Sequence, residues 1–128
     1  RKENKEMKIE IPINPVTKKN HSNIVIVRGR PMILPSKPYQ EYERKCKAYM
    51  PKLDEPINYP INLKVLYFME TRRRCDLTNL LQATCDILVK YKVLEDDNYT
   101  IVTSFDGSRV EYNREYPHCE IYIEKKTS

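Results

Sequence analysis

No apolar run in this chain approaches the roughly 20 residues that a bilayer-spanning helix needs, which excludes a transmembrane helix. No signal-like apolar segment is present either. The four cysteines, Cys46, Cys75, Cys85 and Cys119, include no CxxC pair, and His21 and His118 are the only histidines, so a structural zinc is not expected. An even cysteine count would suit disulfides in a secreted protein. A chain of this size can bury a core without such staples, however, and reduced cytoplasmic thiols are the better reading. Tryptophan is absent and glycine is scarce, with 2 in 128 residues. No internal repeat is visible.

What is abundant is charge, mostly positive. Lys and Arg outnumber Asp and Glu by 23 to 18, giving +5 and a pI near 9.0. That balance favours a polyanionic partner such as nucleic acid, with an ordinary basic soluble protein an equal reading on charge alone. The length allows one core and therefore one domain spanning residues 1–128, with about 1–5 and 125–128 expected to be flexible.

Apolar and polar residues alternate over 7–13, the period of a strand with one buried face, and Pro12 puts it at an edge or an end. A polar, basic stretch at 14–23 leads to a second strand at 23–27. The turn Arg28-Gly29-Arg30 and a third strand at 31–34 then close a hairpin with arginines at its tip. Ser36 suits an N-cap and Pro38 a first helical turn, so a helix is expected from 37 to 50, where Pro51 stops it. Residues 51–60 hold three prolines and read as a loop. The strongest strand is 61–69, apolar on both faces toward its end and so expected to be central and covered on both sides. A second helix opens at Asp76 and runs to about residue 90, with Leu77, Leu80, Leu81, Thr84, Cys85 and Leu88 as its buried stripe. Strands follow at 99–104 and 119–124, with a turn at Asp106-Gly107. The fold class is α+β: a small single domain with a mixed β-sheet and two main helices.

The informative segment runs from Arg72 to Asp97. Three arginines, Arg72, Arg73 and Arg74, precede an acid at a helix start, and Glu95, Asp96 and Asp97 follow the helix. Phosphodiester hydrolysis explains that pattern. Arginines hold the backbone while carboxylates hold Mg²⁺, which polarises a phosphoryl oxygen and acidifies water. Plainer readings stand beside it: Asp76 as an N-cap worth about 1 kcal/mol, the arginines as a solvated linker, the acids as loop decoration. The ten tyrosines suit stacking on unpaired bases or, more commonly, half-buried packing.

Asp76-Leu77-Thr78-Asn79-Leu80, then Asp86, Leu88 and Asp96-Asp97 behind the arginine run, resemble the RusA-type Holliday junction resolvases. Ile11-Pro12-Ile13-Asn14-Pro15 leading to Lys19-Asn20 extends the likeness over most of the chain. The resemblance implies a small cytoplasmic enzyme encoded by a bacterium, a phage or a prophage. It further implies a homodimer, dependent on Mg²⁺ with Mn²⁺ as a substitute, that nicks branched DNA in recombination or repair without an organic cofactor. It implies three catalytic aspartates, at Asp76, at position 78 and at Asp97, and a basic residue at position 82. Here position 78 is Thr78 and position 82 is Gln82. Asp96 is the natural stand-in for the missing acid, with Thr78 assisting. The expected metal ligands are therefore Asp76, Asp97 and Asp96. The DNA-contacting set is Lys18, Lys19, Arg28, Arg30, Arg72, Arg73, Arg74 and Gln82, positioning the backbone without reading sequence. A branched-DNA-binding protein with weakened or lost catalysis, and a nuclease for flaps or RNA, remain as alternatives.

A helix of about 15 residues separates its ends by about 22 Å. Asp76 and Asp97 share a metal in one subunit only if the chain doubles back, and six extended residues span about 20 Å. The expected arrangement is therefore a composite site, with Asp76 of one subunit meeting Asp97 of the other across a twofold axis. Asp86, about 15 Å along the helix from Asp76, reads as the partner of a nearby lysine or as the cap of a sheet contact.

Overall fold

The computed structural model describes residues 6–18 and 23–126. The alternation near the N-terminus forms β1, Glu6–Ile11, which ends two residues earlier than its pattern because Pro12 has no N–H to donate. The hairpin forms as read: β2, Asn23–Val27, pairs antiparallel with β3, Arg30–Leu34. Its turn uses positive φ at Arg28 (52°) and Gly29 (77°), the twist that suits a two-residue hairpin loop. This hairpin is a sheet of its own, and it leaves Ile24, Ile26 and Ile33 about three-quarters exposed.

Helix α1, Lys37–Cys46, starts where Ser36 Oγ accepts from Tyr39 N. It tightens into a 3₁₀ turn, Lys47–Tyr49, before Pro51. Strand β4, Ile61–Met69, is central: β7, His118–Lys125, lies antiparallel on one side, while β5, Val102–Ser104, and β6, Arg109–Tyr112, share the other side in parallel. β1 closes the far edge on β7. The expected strand at 99–104 is shorter because Asn98 winds residues 98–101 into a turn, its side chain accepting from Thr100 N and its carbonyl from Ile101 N and Val102 N. β6 has no buried residue, so no hydrophobic period marked it. Lys125 completes β7, and Lys126 N donates to Pro60 O; that part of the expected C-terminal flexibility is not found. Residues 1–5, 127 and 128, for which flexibility was also expected, lie outside the described residues, as does Lys19.

Helix α2, Leu77–Lys90, buries Leu80, Leu81, Ala83, Thr84, Cys85, Ile87 and Leu88. Together with Tyr39, Tyr42 and Cys46 of α1, it covers the sheet face made by Ile9, Ile11, Ile61, Leu63, Val65, Tyr67, Cys119, Ile121 and Ile123. Tyr67 reaches across to Thr84 in a 2.6 Å hydroxyl contact. The second face of β4 is covered, as expected, but by side chains and not by a helix of the described residues. Its residues are screened by side chains of their own sheet. Asn62 binds the Asp106 carbonyl, the Lys64 ammonium lies 4.7 Å from the Tyr122 ring centre, and Phe68, His118 and Tyr116 form a stack. All four cysteines are free thiols.

Candidate active site

β4 delivers the chain to the arginine run, and α2 begins at once after it. Asp76 occupies the N-cap position with extended backbone (φ −90°, ψ 127°), and its carbonyl accepts from Asn79 N and Leu80 N. Its carboxylate, however, makes no capping bond to the backbone. Among the described residues it accepts only a long 3.4 Å contact from Asn79 Nδ2, and it lines a recess of about 280 Å³ with Thr17, Arg74 and Asn79. The capping function that would have explained this acid is therefore absent. An adjoining recess of about 320 Å³ brings Asn14, Arg73 and Arg74 to the same mouth.

The arginines do not act as a block. Arg73 and Arg74 line the recesses beside Asp76, whereas the Arg72 guanidinium lies 4.1 Å from the centre of the Tyr112 ring. Arg28 and Arg30 are exposed at the hairpin tip.

At the other end of α2 the chain reverses within one subunit. Lys92 takes the left-handed conformation, φ 61°. Lys92 N donates to Val89 O at 3.1 Å and Val93 N to Leu88 O at 2.9 Å, the paired bonds of a Schellman turn. Leu88 and Val93 are both fully buried, the apolar contact that accompanies such a turn. Residues 93–95 then run beside Ile57, with Ile57 N bonded to Val93 O and Glu95 N to Ile57 O. The reversal brings Asp97 back onto the helix, where its Oδ2 accepts from Gln82 Nε2 at 3.4 Å. Gln82 lies only about 9 Å along the axis from Asp76, at about 1.5 Å per residue. The tight return is made, and this geometry does not need a partner subunit to bring Asp97 to α2.

Asp97 lands next to Asp86, which its place along the helix sets apart from Asp76. Gln82 Nε2 also donates to Asp86 Oδ1 at 3.0 Å. Asp86 Oδ2 pairs with Lys18 Nζ at 2.9 Å, so Asp86 has the lysine partner expected of it, and Lys18 is engaged by an acid. Helical spacing of 82 and 86 was the available signal; that Asp97 would join them was not legible. Cys85 lies buried behind this group, its thiol pushed up to about 12 by burial and, less strongly, by Asp97 and Asp86.

Asp96 faces its own loop. Its Oδ1 accepts from Asp97 N at 2.7 Å and its Oδ2 from Asn98 Nδ2 at 2.9 Å. These bonds, the Asp97 N–H first, hold its carboxyl below the ordinary value. Thr78 is exposed and sits one helical turn before Gln82 on the same row. Among the described residues, no three His, Cys, Asp or Glu side chains converge as a ready-made metal cluster. Magnesium is commonly held by one or two carboxylates, with waters and substrate phosphates completing its shell. The carboxylate oxygens of Asp76 and Asp97 are donors of the kind that chemistry uses. No helix is long and apolar enough to cross a membrane.

A search among curated proteins returns no match. A family model described as endodeoxyribonuclease RusA matches residues 12–124, a span that takes in β2 to β6, both helices, the arginine run and every acid discussed above. The chain belongs to the RusA endodeoxyribonuclease family.

Proposed function

We propose that this protein is a Mg²⁺-dependent endonuclease that binds branched DNA as a homodimer and resolves four-way junctions by paired nicks. The observation that carries the reading is the Asp76 carboxylate, which is not used as a helix cap and lies in a recess bordered by Arg74, on the helix to which Asp97 returns. A bound Mg²⁺, or Mn²⁺ in its place, would neutralise charge at the scissile phosphate and make water acidic enough to attack. Asp76 and Asp97 are the residues that would hold it.

The rest of the work belongs to the chain's own groups. Arg73 and Arg74 hold the phosphate on the Asp76 side, where their fixed positive charge meets the charge that develops in the transition state. The Thr78 hydroxyl is free to accept a hydrogen bond from an ordered water. Asp96 acts one step back, fixing the Asp97 backbone. Arg28 and Arg30, and Lys19 with them, bind flanking backbone. Two sites related by a twofold axis match a junction whose two cut strands have like polarity.

The test is nicking of a synthetic four-way junction with and without Mg²⁺, with Asp76→Asn as control. Metal-dependent nicking that D76N lacks is the expected result. A second reading, a branched-DNA-binding protein with little catalysis, draws on Thr78 and Gln82 standing where the family resemblance implies an acid and a base. It predicts junction binding that D76N leaves intact and no cleavage by either protein. Flap and RNA substrates in the same assay measure selectivity.

A further inference from the structure

Gln82 occupies an unusual position: one neutral amide nitrogen lies between two carboxylates, Asp86 Oδ1 at 3.0 Å and Asp97 Oδ2 at 3.4 Å. Two ionised carboxylates gathered on one uncharged donor repel each other, and a cation close by offsets that repulsion. Among the described residues the only cation in salt-bridge contact with Asp76, Asp86 or Asp97 is Lys18, on the far oxygen of Asp86. Lys18 comes from the loop after β1, and its ammonium lies 5.7 Å from the centre of the Tyr39 ring on α1. The lysine thus ties α1, the loop and α2 together at one acid.

The bonds run in one order. Lys18 holds one Asp86 oxygen; the other Asp86 oxygen turns the Gln82 amide so that its N–H₂ faces outward; that N–H₂ meets Asp97. The Asp97 carboxylate has no other bond to α2 among the described residues. We infer that Lys18, Asp86 and Gln82 are positioning residues for Asp97, with Lys18 supplying the positive charge of the site from outside the helix. Lys18 is then part of the catalytic side's support and not a simple phosphate contact. Asp86 acts through Gln82 and touches no substrate. This rests on the reading that Asp97 is a catalytic carboxylate.

The test combines kinetics with a readout that needs no turnover. On a synthetic four-way junction in Mg²⁺, Lys18→Ala, Asp86→Asn and Gln82→Ala are each expected to lower kcat by about 10- to 100-fold, the usual effect of removing a group that orients a ligand. KM should stay within about twofold, since no ground-state DNA contact is lost. The double variant K18A/D86N should be no worse than the poorer single variant, as members of one network are not additive. Gln82→Lys in the K18A background should restore kcat to within about threefold of the wild type by placing an ammonium between the two carboxylates. In the metal-free protein, the Gln82 side-chain amide signal in a ¹H–¹⁵N spectrum should move toward the free-amide position in D86N, D97N and K18A alike.

The inference is overturned if K18A raises KM with kcat unchanged, if the K18A and D86N losses multiply, if Gln82→Lys fails to rescue, or if the Gln82 signal ignores K18A. Failure of the functional reading looks different. The wild type would then not cut, or D97N would cut normally, while the Gln82 signal would still report on the network.

Discussion

At the N-terminal end of α2, Asp76 carries a carboxylate with one long contact and a recess in front of it. Nearly three turns further on, at about 3.6 residues per turn, Asp86 is tied to the Gln82 amide and to Lys18, and Asp97 to the same amide. The same residue type on the same helix is thus kept open at one place and held at the other. The difference follows from how each acid arrives. Asp76 is delivered by the strand and only has to begin the helix, which its backbone does without its side chain. Asp97 is delivered by a loop and has no regular structure of its own, so its direction must come from neighbours.

The largest effects should separate the open acid from the held one. Asp76→Asn should reduce nicking by about 10³-fold, the scale for losing one group that stabilises developing charge, while gel-shift affinity for a junction is retained. Asp97→Asn should do the same. Mixed dimers of D76N and D97N chains are expected to remain inactive on the proposal that both acids serve one site within one chain, which the return of Asp97 to Gln82 supports; recovered cleavage would show a site shared between subunits.

The reversal that holds Asp97 is next in size. Leu88→Ala removes a fully buried side chain at the turn and should cost about 2 to 5 kcal/mol in chemical denaturation. The arginines then divide the two ends in a binding experiment. The double change R73A/R74A should lower the salt dependence of DNA affinity by about two phosphate contacts. R72A, whose side chain rests on Tyr112, should lower it by clearly less; an equal drop would mean that the three arginines form one clamp after all. A smaller gain is expected from Lys92→Gly, which relieves a non-glycine left-handed residue and should stabilise by about 0.5 to 1 kcal/mol. Last, the Asp96 carboxyl is held below its usual value, so the order it lends the Asp97 backbone is present above the ordinary carboxylate range and is lost as pH falls through the lowered value. Protection of Asp97 N against hydrogen exchange, taken relative to the intrinsic rate at each pH, should therefore fall in acid, and Asp96→Asn should remove that pH dependence.

Strand β4 and helix α2 were legible at nearly their final ends, because each has an apolar period long enough to be read without its neighbours. β6 was not, since every one of its residues is exposed and its pairing with β4 is a matter of backbone alone. The second face of β4 is covered as its apolar residues imply, but what covers it was not legible: Leu66 is buried without a helix and Phe68 stacks on His118 of the neighbouring strand. In the site, the acids at 76 and 97 stood out by chemistry and spacing. The state of each did not. Asp76 reads equally well as a cap until its carboxylate is seen to make no capping bond, and Asp86 reads as a lone ion pair until Asp97 is seen beside it.

By itself the sequence determined every element but β6, the single α+β domain, the arginine run and the acids that mark the family, because periodicity, turn chemistry and short motifs are local properties of a chain. Only the tertiary structure decided that Asp97 returns to the middle of α2, that Gln82 lies between two carboxylates and that Lys18 supplies their cation. Those depend on the burial of Leu88 and Val93, on the backbone bonds to Ile57 and on a loop arriving from β1. Contacts between segments far apart in the chain set them, and no local pattern encodes where such segments meet.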